Sequence, residues 1–305
     1  MPTLALKVDV DTFRGTRYGV PRLLELLQQF EAGATFLFSL GPDHTGRAIK
    51  RAFRPGFFGK VSRTSVVTHY GLRTLTYGTL LPGPDIGKRA AAVMRATRDA
   101  GFEVGIHCWD HVKWQDGVER ADAAWTEAEM DHAVTRFADV FGTAPHTHGA
   151  AGWQMNAHAL RLTQRFGFAY SSDCRGTHPF VPVCNAEIVL CPQLPTTLPT
   201  LDELIGVDGT TDDNVHEKLL ALTAAPRNHV YTLHAELEGM RLSHVFEKLL
   251  AGWQDQGYEL VALNTVAHGL NVASLPRHEM LRGELPGRSG TLMVQGPPFL
   301  ANVCL

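Results

Sequence analysis

The segment LALKVDVDT, residues 4–12, ends a short apolar run in two acidic residues. Its first five residues have the length and composition of a buried strand. Side chains alternate along a strand, so Asp9 and Asp11 face the same side. A cap or a solvated loop would also explain such a pair. A shared chemical site requires partners from other strand ends.

Similar short runs alternate with amphipathic stretches along the rest of the chain. The strands are predicted at residues 4–8, 34–40, 102–106, 168–172, 188–190, 229–233 and 260–263. The helices between them are predicted at residues 20–31, 86–100, 126–141, 157–166, 215–222 and 242–256. This alternation indicates an α/β fold with a mostly parallel sheet. With seven or so such units and no linker, we expect a single distorted (β/α)7 barrel and one domain, residues 1–305.

Histidines that follow two other predicted strands supply the remaining parts of a metal site. His107 and His111 in HCWDH are four residues apart, so one helical turn places both imidazoles on one side. His234 follows the strand at residues 229–233. Because barrel strands end at one mouth, these groups are expected to meet Asp9 and Asp11. Two histidines and one carboxylate form a hydrolytic or facial-triad ligand set, with open positions for water and substrate. Taken singly, each histidine is also compatible with an ordinary polar role.

Composition excludes several classes of protein. The net charge of −3 in 305 residues argues against a nucleic-acid partner, which would favour a basic chain. Five scattered cysteines indicate reduced thiols rather than a disulfide framework. An acidic residue already stands at position 9, which leaves no room for a signal peptide. No apolar run approaches the length of a transmembrane helix.

Residues 42–85 form a predicted insertion after strand two, rich in basic and apolar side chains. Between residues 44 and 84 there is no Asp or Glu. This composition is typical of a segment on an anionic membrane surface, although a lid with solvated charges is the alternative. The candidate contacts are Arg47, Lys50, Arg51, Arg54, Phe57, Phe58, Lys60 and Arg63. The uncharged segment 291–305 is either a second contact or a packed tail.

Several motifs together resemble the polysaccharide deacetylase (NodB-homology) family over about residues 4–291. They are VDVDTFRGTR (8–17), HCWDH (107–111), AAGW (150–153), YSSDCRGTHPF (170–180), QLPTTLPTLDELIG (193–206) and VYTLHAELEG (230–239). The resemblance implies a barrel of the NodB-homology type. Within the family, the motifs are similar to those of members that deformylate a formamido-arabinose carried on undecaprenyl phosphate.

The resemblance also implies a role for each residue of the predicted site. Asp11, His107 and His111 would bind one divalent metal ion, with Zn, Mn, Fe, Co and Ni not distinguished. Asp9 would be the catalytic base and His234 the catalytic acid. Such a metal polarises the carbonyl and activates water, while the base and acid divide the proton transfers.

A second set of residues is expected to bind the substrate or stabilise its oxyanion. The backbone N–H groups near AAGW are suited to an oxyanion hole. The family's third motif carries an arginine that orients the base, but residues 147–153 contain none. Arg175 is the expected replacement, unless it forms an ion pair with Asp173. The full set is Ala150, Ala151, Gly152, Trp153, Asp173 and Arg175.

The implied reaction releases formate and leaves an amino-arabinose lipid, which serves lipid A modification and polymyxin resistance. Its partners would be the undecaprenyl-phosphate-linked formamido sugar and the anionic inner-membrane surface, with the protein peripheral on the cytoplasmic face. An N-deacetylase of another glycan is one alternative. A non-catalytic carbohydrate- or lipid-binding barrel is another.

Overall fold

The computed structural model describes residues 1–48, 71 and 73–300. The strands are β1 Thr3–Val10, β2 Thr35–Ser39, β3 Glu103–Cys108, β4 Thr147–His148, β5 Tyr170–Ser171, β6 Val181–Cys184, β7 Glu187–Ile188, β8 His229–His234, β9 Glu259–Val261, β10 Arg277–Glu284 and β11 Thr291–Pro298. The α-helices are α1 Val20–Gln29, α2 Ile86–Arg89, α3 Ala91–Asp99, α4 His111–Gly117, α5 Ala123–Phe141, α6 Ala157–Arg165, α7 Leu201–Leu204, α8 Val215–Leu222, α9 Ser243–Asp255 and α10 Leu263–His268.

Strand β1 pairs with three other strands of a seven-stranded parallel sheet. The strand order is β5-β4-β3-β2-β1-β8, and β9 also pairs with β1. Residues 4–9 of β1 pair with β8, its C-terminal half with β2 and its first residues with β9. The predicted mostly parallel α/β architecture is therefore confirmed as a curled sheet with helices packed against it.

The two faces of β1 have different surroundings. Its even-numbered residues Leu4, Leu6, Val8 and Val10 are fully buried in the large apolar core. On the opposite face, Ala5 belongs to a smaller apolar cluster. That cluster also contains Tyr170, Leu194, Val230, Val261 and Leu263. Beyond it, toward the C-terminal end of the strand, the same face carries Lys7 and Asp9. Apolar packing thus fills one end of the curled sheet and leaves charged groups at the other.

The helices cover the large core with one apolar face each. In α5, Met130, Ala133, Phe137 and Val140 recur at helical spacing and are buried. The helix predicted at residues 86–100 is divided into α2 and α3 at Ala90. Among the described helices, none combines the length and apolarity needed to cross a bilayer.

A second sheet, with strand order β11-β10-β6-β7, was not predicted. A barrel strand was expected at residues 188–190, but only Ile188 lies in a strand, β7, which pairs antiparallel with β6. The connecting residues Asn185 and Ala186 both have positive φ angles, which is the geometry of a two-residue hairpin turn. Strand β11 pairs with β10, so residues 291–298 of the uncharged segment form a strand of this second sheet.

The insertion is described only at its ends. Arg47 lies in the described part and donates from Nε to the carbonyl oxygen of Gly78 over 3.0 Å. The remaining candidates for membrane contact lie outside the described residues: Lys50, Arg51, Arg54, Phe57, Phe58, Lys60 and Arg63. Residues 301–305 also lie outside them.

Candidate metal centre

The C-terminal ends of β1, β3 and β8 bring the predicted acidic residues and histidines together. In the parallel pairing of β1 with β8, Asp9 lies directly opposite His234. His107 is at the end of β3, and His111 begins α4 immediately after it. The helix begins there because the side chain of Asp110 accepts a hydrogen bond from the N–H of Lys113.

Asp11, His107 and His111, here called the metal triad, have one ligand atom each within 4.8 Å of one another. Asp11 Oδ1 lies 3.2 Å from His107 Nε2 and 3.4 Å from His111 Nε2. Ligand atoms on one tetrahedral ion, each at ~2.1 Å from it, are about 3.4 Å apart. The spacing therefore suits a divalent cation shared by the three side chains.

The tautomer of His107 supports the same assignment. Its Nδ1 lies 2.7 Å from the carbonyl oxygen of Gly149, an acceptor only, so Nδ1 carries the proton. The lone pair of Nε2 then faces Asp11 Oδ1, which is buried and makes no hydrogen bond within the described part of the chain. Two acceptors face each other stably when a cation lies between them. The residues therefore fit a divalent metal ion.

The electrostatics of the metal triad are strongly coupled. Burial alone would raise the pKa of Asp11, but the imidazoles of His111, His107 and His234 outweigh it and lower that pKa well below its usual range. Burial lowers the pKa of His107, whereas Asp9 and Asp11 raise it, and the net shift is upward. The site therefore holds an ionised carboxylate and favours positive charge beside it.

Lys7 takes the place beside Asp9 that was expected for Arg175. The fully buried Lys7 ammonium lies 3.2 Å from Asp9 Oδ2, and both side chains are on one face of β1. Arg175 makes no contact with Asp9 or Asp173 among the ion pairs of the described residues. Its Nη1 instead donates to both oxygens of Glu203, over 2.7 and 3.0 Å. The predictions that Arg175 orients Asp9 or forms an ion pair with Asp173 were therefore wrong.

The predicted oxyanion-binding segment is also partly occupied by internal contacts. The N–H of Ala150 donates to Asp173 Oδ1 over 2.9 Å and is not available to a substrate. Asp173 is fully buried and also contacts His148 and Gln193. The next three residues, Ala151, Gly152 and Trp153, form one 3-10 turn. The backbone N–H groups of Ala151 and Gly152 remain the candidate donors to an oxyanion.

His234 is held by its backbone. Its N–H donates to Glu238 Oε2 over 2.9 Å, while Glu238 Oε1 accepts from the hydroxyl of Tyr231. The Nδ1 atom of His234 is buried without a hydrogen-bond partner among the described residues. The position of the His234 ring at the mouth of the barrel is thus set by β8, since no side chain among the described residues bonds to its Nδ1.

A third carboxylate, Glu236, joins the end of β1 to the end of β8. Its Oε1 accepts from the N–H groups of Asp11 and Thr12 and from the Thr12 hydroxyl. Burial, followed by the charge of Asp11, raises the pKa of Glu236. A Cβ on Gly15 would lie 1.9 Å from the same oxygen, so this contact requires glycine there.

Sequence reasoning missed both Lys7 and Glu236. Lys7 carried a usable signal, because alternation along the first strand places it on the same face as Asp9 and Asp11. A lysine in an apolar strand is an exception to normal burial unless it is paired. Glu236 carried a weaker signal: its place in VYTLHAELEG does not show that its carboxylate reaches back to the first strand.

Comparison with known proteins gives the following similarities. No family model matches the chain. Two proteins named probable 4-deoxy-4-formamido-L-arabinose-phosphoundecaprenol deformylase ArnD are similar to it over nearly their whole length. The one from Shewanella sediminis (strain HAW-EB3) is 39% identical over 292 residues, which is 96% of this chain and 94% of that protein. The one from Wigglesworthia glossinidia brevipalpis is 32% identical over 284 residues, or 92% and 98%.

Solved structures show the same fold at lower identity. A polysaccharide deacetylase from Mycobacterium smegmatis superposes with a TM-score of 0.62 and 18% identity, covering 93% of this chain and 96% of that one. The Xyl-CE4 domain of a multidomain xylanase from the hindgut metagenome of Trinervitermes trinervoides gives a TM-score of 0.51 and 12% identity, with 90% and 95% covered. These likenesses confirm the barrel type predicted from the motifs.

We predict that His107→Ala loses the divalent cation while Asp9→Asn retains it. The first change removes a donor of the metal triad, and the second leaves all three in place. Affinity for Mn²⁺ or Zn²⁺, measured by calorimetry, is expected to fall more than about 100-fold in His107→Ala. The exposed histidine in His146→Ala is the matched control. Full metal content in dialysed His107→Ala, by elemental analysis, would contradict the assignment.

Proposed function

The chain belongs to the family of ArnD deformylases, and from this premise we propose that it removes the formyl group from a 4-deoxy-4-formamido-L-arabinose carried on undecaprenyl phosphate. Membership of this family makes the protein a hydrolase that acts on an amide C–N bond. The products of the proposed reaction are formate and the 4-amino-4-deoxy-L-arabinose lipid. That lipid would supply lipid A modification and hence polymyxin resistance.

The observation that carries the proposal is the pairing of Asp9 and His234 across the parallel strands beside the metal triad. Hydrolysis of an amide needs a base that takes a proton from the attacking water and an acid that protonates the departing nitrogen. Asp9 is assigned the first role and His234 the second. Both side chains are fixed by adjacent strands, so their relative position does not depend on a loop.

Asp11, His107 and His111 would hold the divalent ion. When bound, the ion supplies Lewis-acid polarisation of the formyl carbonyl and activation of the attacking water. Lys7 holds the Asp9 carboxylate in place through their buried ion pair. The N–H groups of Ala151 and Gly152 are proposed to receive the oxyanion. The C–N bond then breaks as the nitrogen takes a proton from His234, which leaves formate and a free amine.

The same geometry would serve an N-deacetylase, because acetamide and formamide hydrolysis need the same proton transfers. The names of the superposed deacetylases favour this as the second candidate. A non-catalytic carbohydrate- or lipid-binding barrel has less support, because it gives no reason for a buried ion pair beside the metal triad. The identity over nearly the whole length of two named deformylases favours deformylation.

We also propose that the protein works at the cytoplasmic face of the inner membrane, because its substrate would be a polyprenyl lipid. The support is the acid-free basic composition of residues 44–84. Polybasic attraction to anionic lipids contributes about 1 kcal/mol per charge near the surface. Such binding weakens as ionic strength rises.

We predict that the purified enzyme releases formate from the formamido-arabinose lipid and that Asp9→Asn loses most of this turnover. Without the base, the rate is expected to fall about 100- to 10,000-fold, while the metal content stays at the wild-type level. Formate and acetate release are measured on matched formyl and acetyl substrates. Release of acetate alone would support the deacetylase instead, and release of neither product would support a binding barrel. Full activity in Asp9→Asn would show that Asp9 is not the base.

Removal of the Lys7 ammonium is expected to impair turnover without removing the metal. Lys7→Met keeps the length of the side chain but leaves Asp9 free to move, and misplacement of a catalytic group by one ångström costs about 100-fold in rate. Formate release and metal content are measured together. Lys7→Arg should recover part of the rate because it restores the ion pair. Wild-type turnover in Lys7→Met would show that Asp9 is held by other contacts.

For the membrane, we predict co-sedimentation with vesicles that contain anionic phospholipid and loss of binding in 0.5 M salt, at which the Debye length is only about 4 Å. The combined variant with Arg47, Lys50, Arg51 and Arg54 changed to Gln is expected to bind several-fold more weakly. Vesicles of neutral lipid are the control. Unchanged sedimentation of this variant would remove the electrostatic argument.

A further inference from the structure

The ring of Trp153 is surrounded by three cationic side chains. The Arg288 guanidinium carbon lies 4.6 Å from the ring centroid, the Arg175 guanidinium carbon 5.0 Å and Lys7 Nζ 5.1 Å. The ring itself is buried and its Nε1 donates to Thr196 Oγ1. Each cation is within the range of a cation–π contact. The Trp153 ring therefore contacts both Lys7, which pairs with Asp9, and two arginines that have no role in the proposed reaction.

Arg288 reaches this position because the tip of the β10–β11 hairpin is docked on α7. Gly287 has a φ angle of +81°, and a Cβ there would lie 2.4 Å from the carbonyl oxygen of Glu203. The next residue, Arg288, then places Nη1 3.1 Å from Glu203 Oε1. The backbone of Arg175 also joins this hairpin, through bonds with Met293 and Gln295. The unpredicted second sheet thus delivers one arginine and anchors the other.

The two arginines share one carboxylate. Both guanidinium groups contact Glu203 Oε1, whereas Lys7 pairs with Asp9. Arg175 Nε is buried and has no hydrogen-bond partner among the described residues. The neighbouring Asp202 accepts from the hydroxyl of Thr200. Arg175 Nη2 also donates to the carbonyl oxygen of Leu198 over 2.9 Å. These acceptors still leave donors of the two largely buried guanidinium groups unused, and a planar guanidinium is the side chain best suited to phosphate oxygens.

The arginines lie close to Lys7, the residue that pairs with Asp9. Because Lys7 Nζ and the Arg288 guanidinium carbon lie 5.1 and 4.6 Å from the same centroid, they are at most 9.7 Å apart. In the proposed substrate, the phosphate and the formamide are on opposite sides of one pyranose. We propose that Arg175 and Arg288, stacked on Trp153, form the subsite that binds the phosphate group of the substrate. This assignment rests on the proposed function and names how the same site recognises a phospholipid-linked sugar.

The subsite explains selection of a lipid-linked sugar over a neutral one. A formamido sugar without phosphate would leave the arginine donors without an acceptor, whereas the glycosyl phosphate supplies one. The hairpin, and not the barrel, would then decide which sugars are accepted.

The test compares two substrates that differ in the phosphate. One is the formamido-arabinose joined through phosphate to a neryl chain, and the other is its neutral methyl glycoside. We expect wild type to prefer the first, in kcat/KM for formate release. In Arg288→Met this preference is expected to fall about 10- to 100-fold, the effect of losing charge-assisted hydrogen bonds. Arg288→Lys should retain part of it, as a point charge without the fork.

Arg277→Met is the matched control, because Arg277 is an exposed arginine on the same hairpin. The proposal predicts that this variant keeps the wild-type preference. An equal loss on both substrates in Arg288→Met would show a structural role and overturn the proposal. The same conclusion follows if wild type does not distinguish the two substrates. If wild type releases formate from neither, the proposed function fails, and direct binding decides the subsite alone.

Direct binding is measured by calorimetry with neryl phosphate and with inorganic phosphate. Neryl phosphate should bind wild type and lose at least tenfold in affinity for Arg288→Met. Inorganic phosphate should bind much more weakly than neryl phosphate. Equal affinity for the two would indicate a free-phosphate site and overturn the assignment to a lipid phosphate. The proposal is also overturned if neither neryl phosphate nor inorganic phosphate binds and Arg288→Met keeps the wild-type substrate preference.

Discussion

Three charged side chains buried along β1 and just beyond its C-terminal end are the constraint that organises this molecule. Lys7 and Asp9 alternate along β1, Asp11 follows just after its end, and all three are withdrawn from water. An unpaired charge in such a place costs several kcal/mol. Each therefore needs a partner: Lys7 and Asp9 pair with each other, while Asp11 faces two imidazoles. The need to pair these charges, as well as apolar packing, positions the end of β3 and the start of α4.

The mouth of the barrel is held together by contacts between two segments more than two hundred residues apart. Glu236 bonds to the backbone that follows β1, and Gly19 lies so close to β8 that a Cβ would meet the carbonyl oxygen of Ala235 at 2.0 Å. Gly239 in turn approaches the backbone of Gly19. Such approaches have no room for side chains, which ties Gly19, just after the first motif, to Gly239 of the last motif. These contacts lie beside the paired Asp9 and His234.

The sequence allowed the barrel and the convergence of its strand ends to be predicted because both follow from local patterns. Alternation in residues 4–12 and the four-residue spacing of His107 and His111 are visible without tertiary information. The second sheet was not predictable in this way, since β10 carries polar residues on both faces and pairs with a strand almost one hundred residues earlier. The ion-pair partner of Arg175 was also not predictable from the sequence. Nothing local distinguishes Glu203 from Asp173 or Asp9 as its counter-ion.

Trp153 shows how these parts depend on one another. Its φ angle of +55° is in the left-handed region, which costs a bulky residue about 1–3 kcal/mol and persists only where the surroundings fix it. Here the surroundings are the bond to Thr196 and three cations around one ring. Arg288 belongs to the hairpin of the second sheet, and Arg175 is bonded to that hairpin through its backbone. The third cation, Lys7, belongs to β1. The second sheet therefore stabilises the conformation of the segment that also carries the proposed oxyanion donors. A barrel without the hairpin would keep its metal triad but lose the support for the turn beside it.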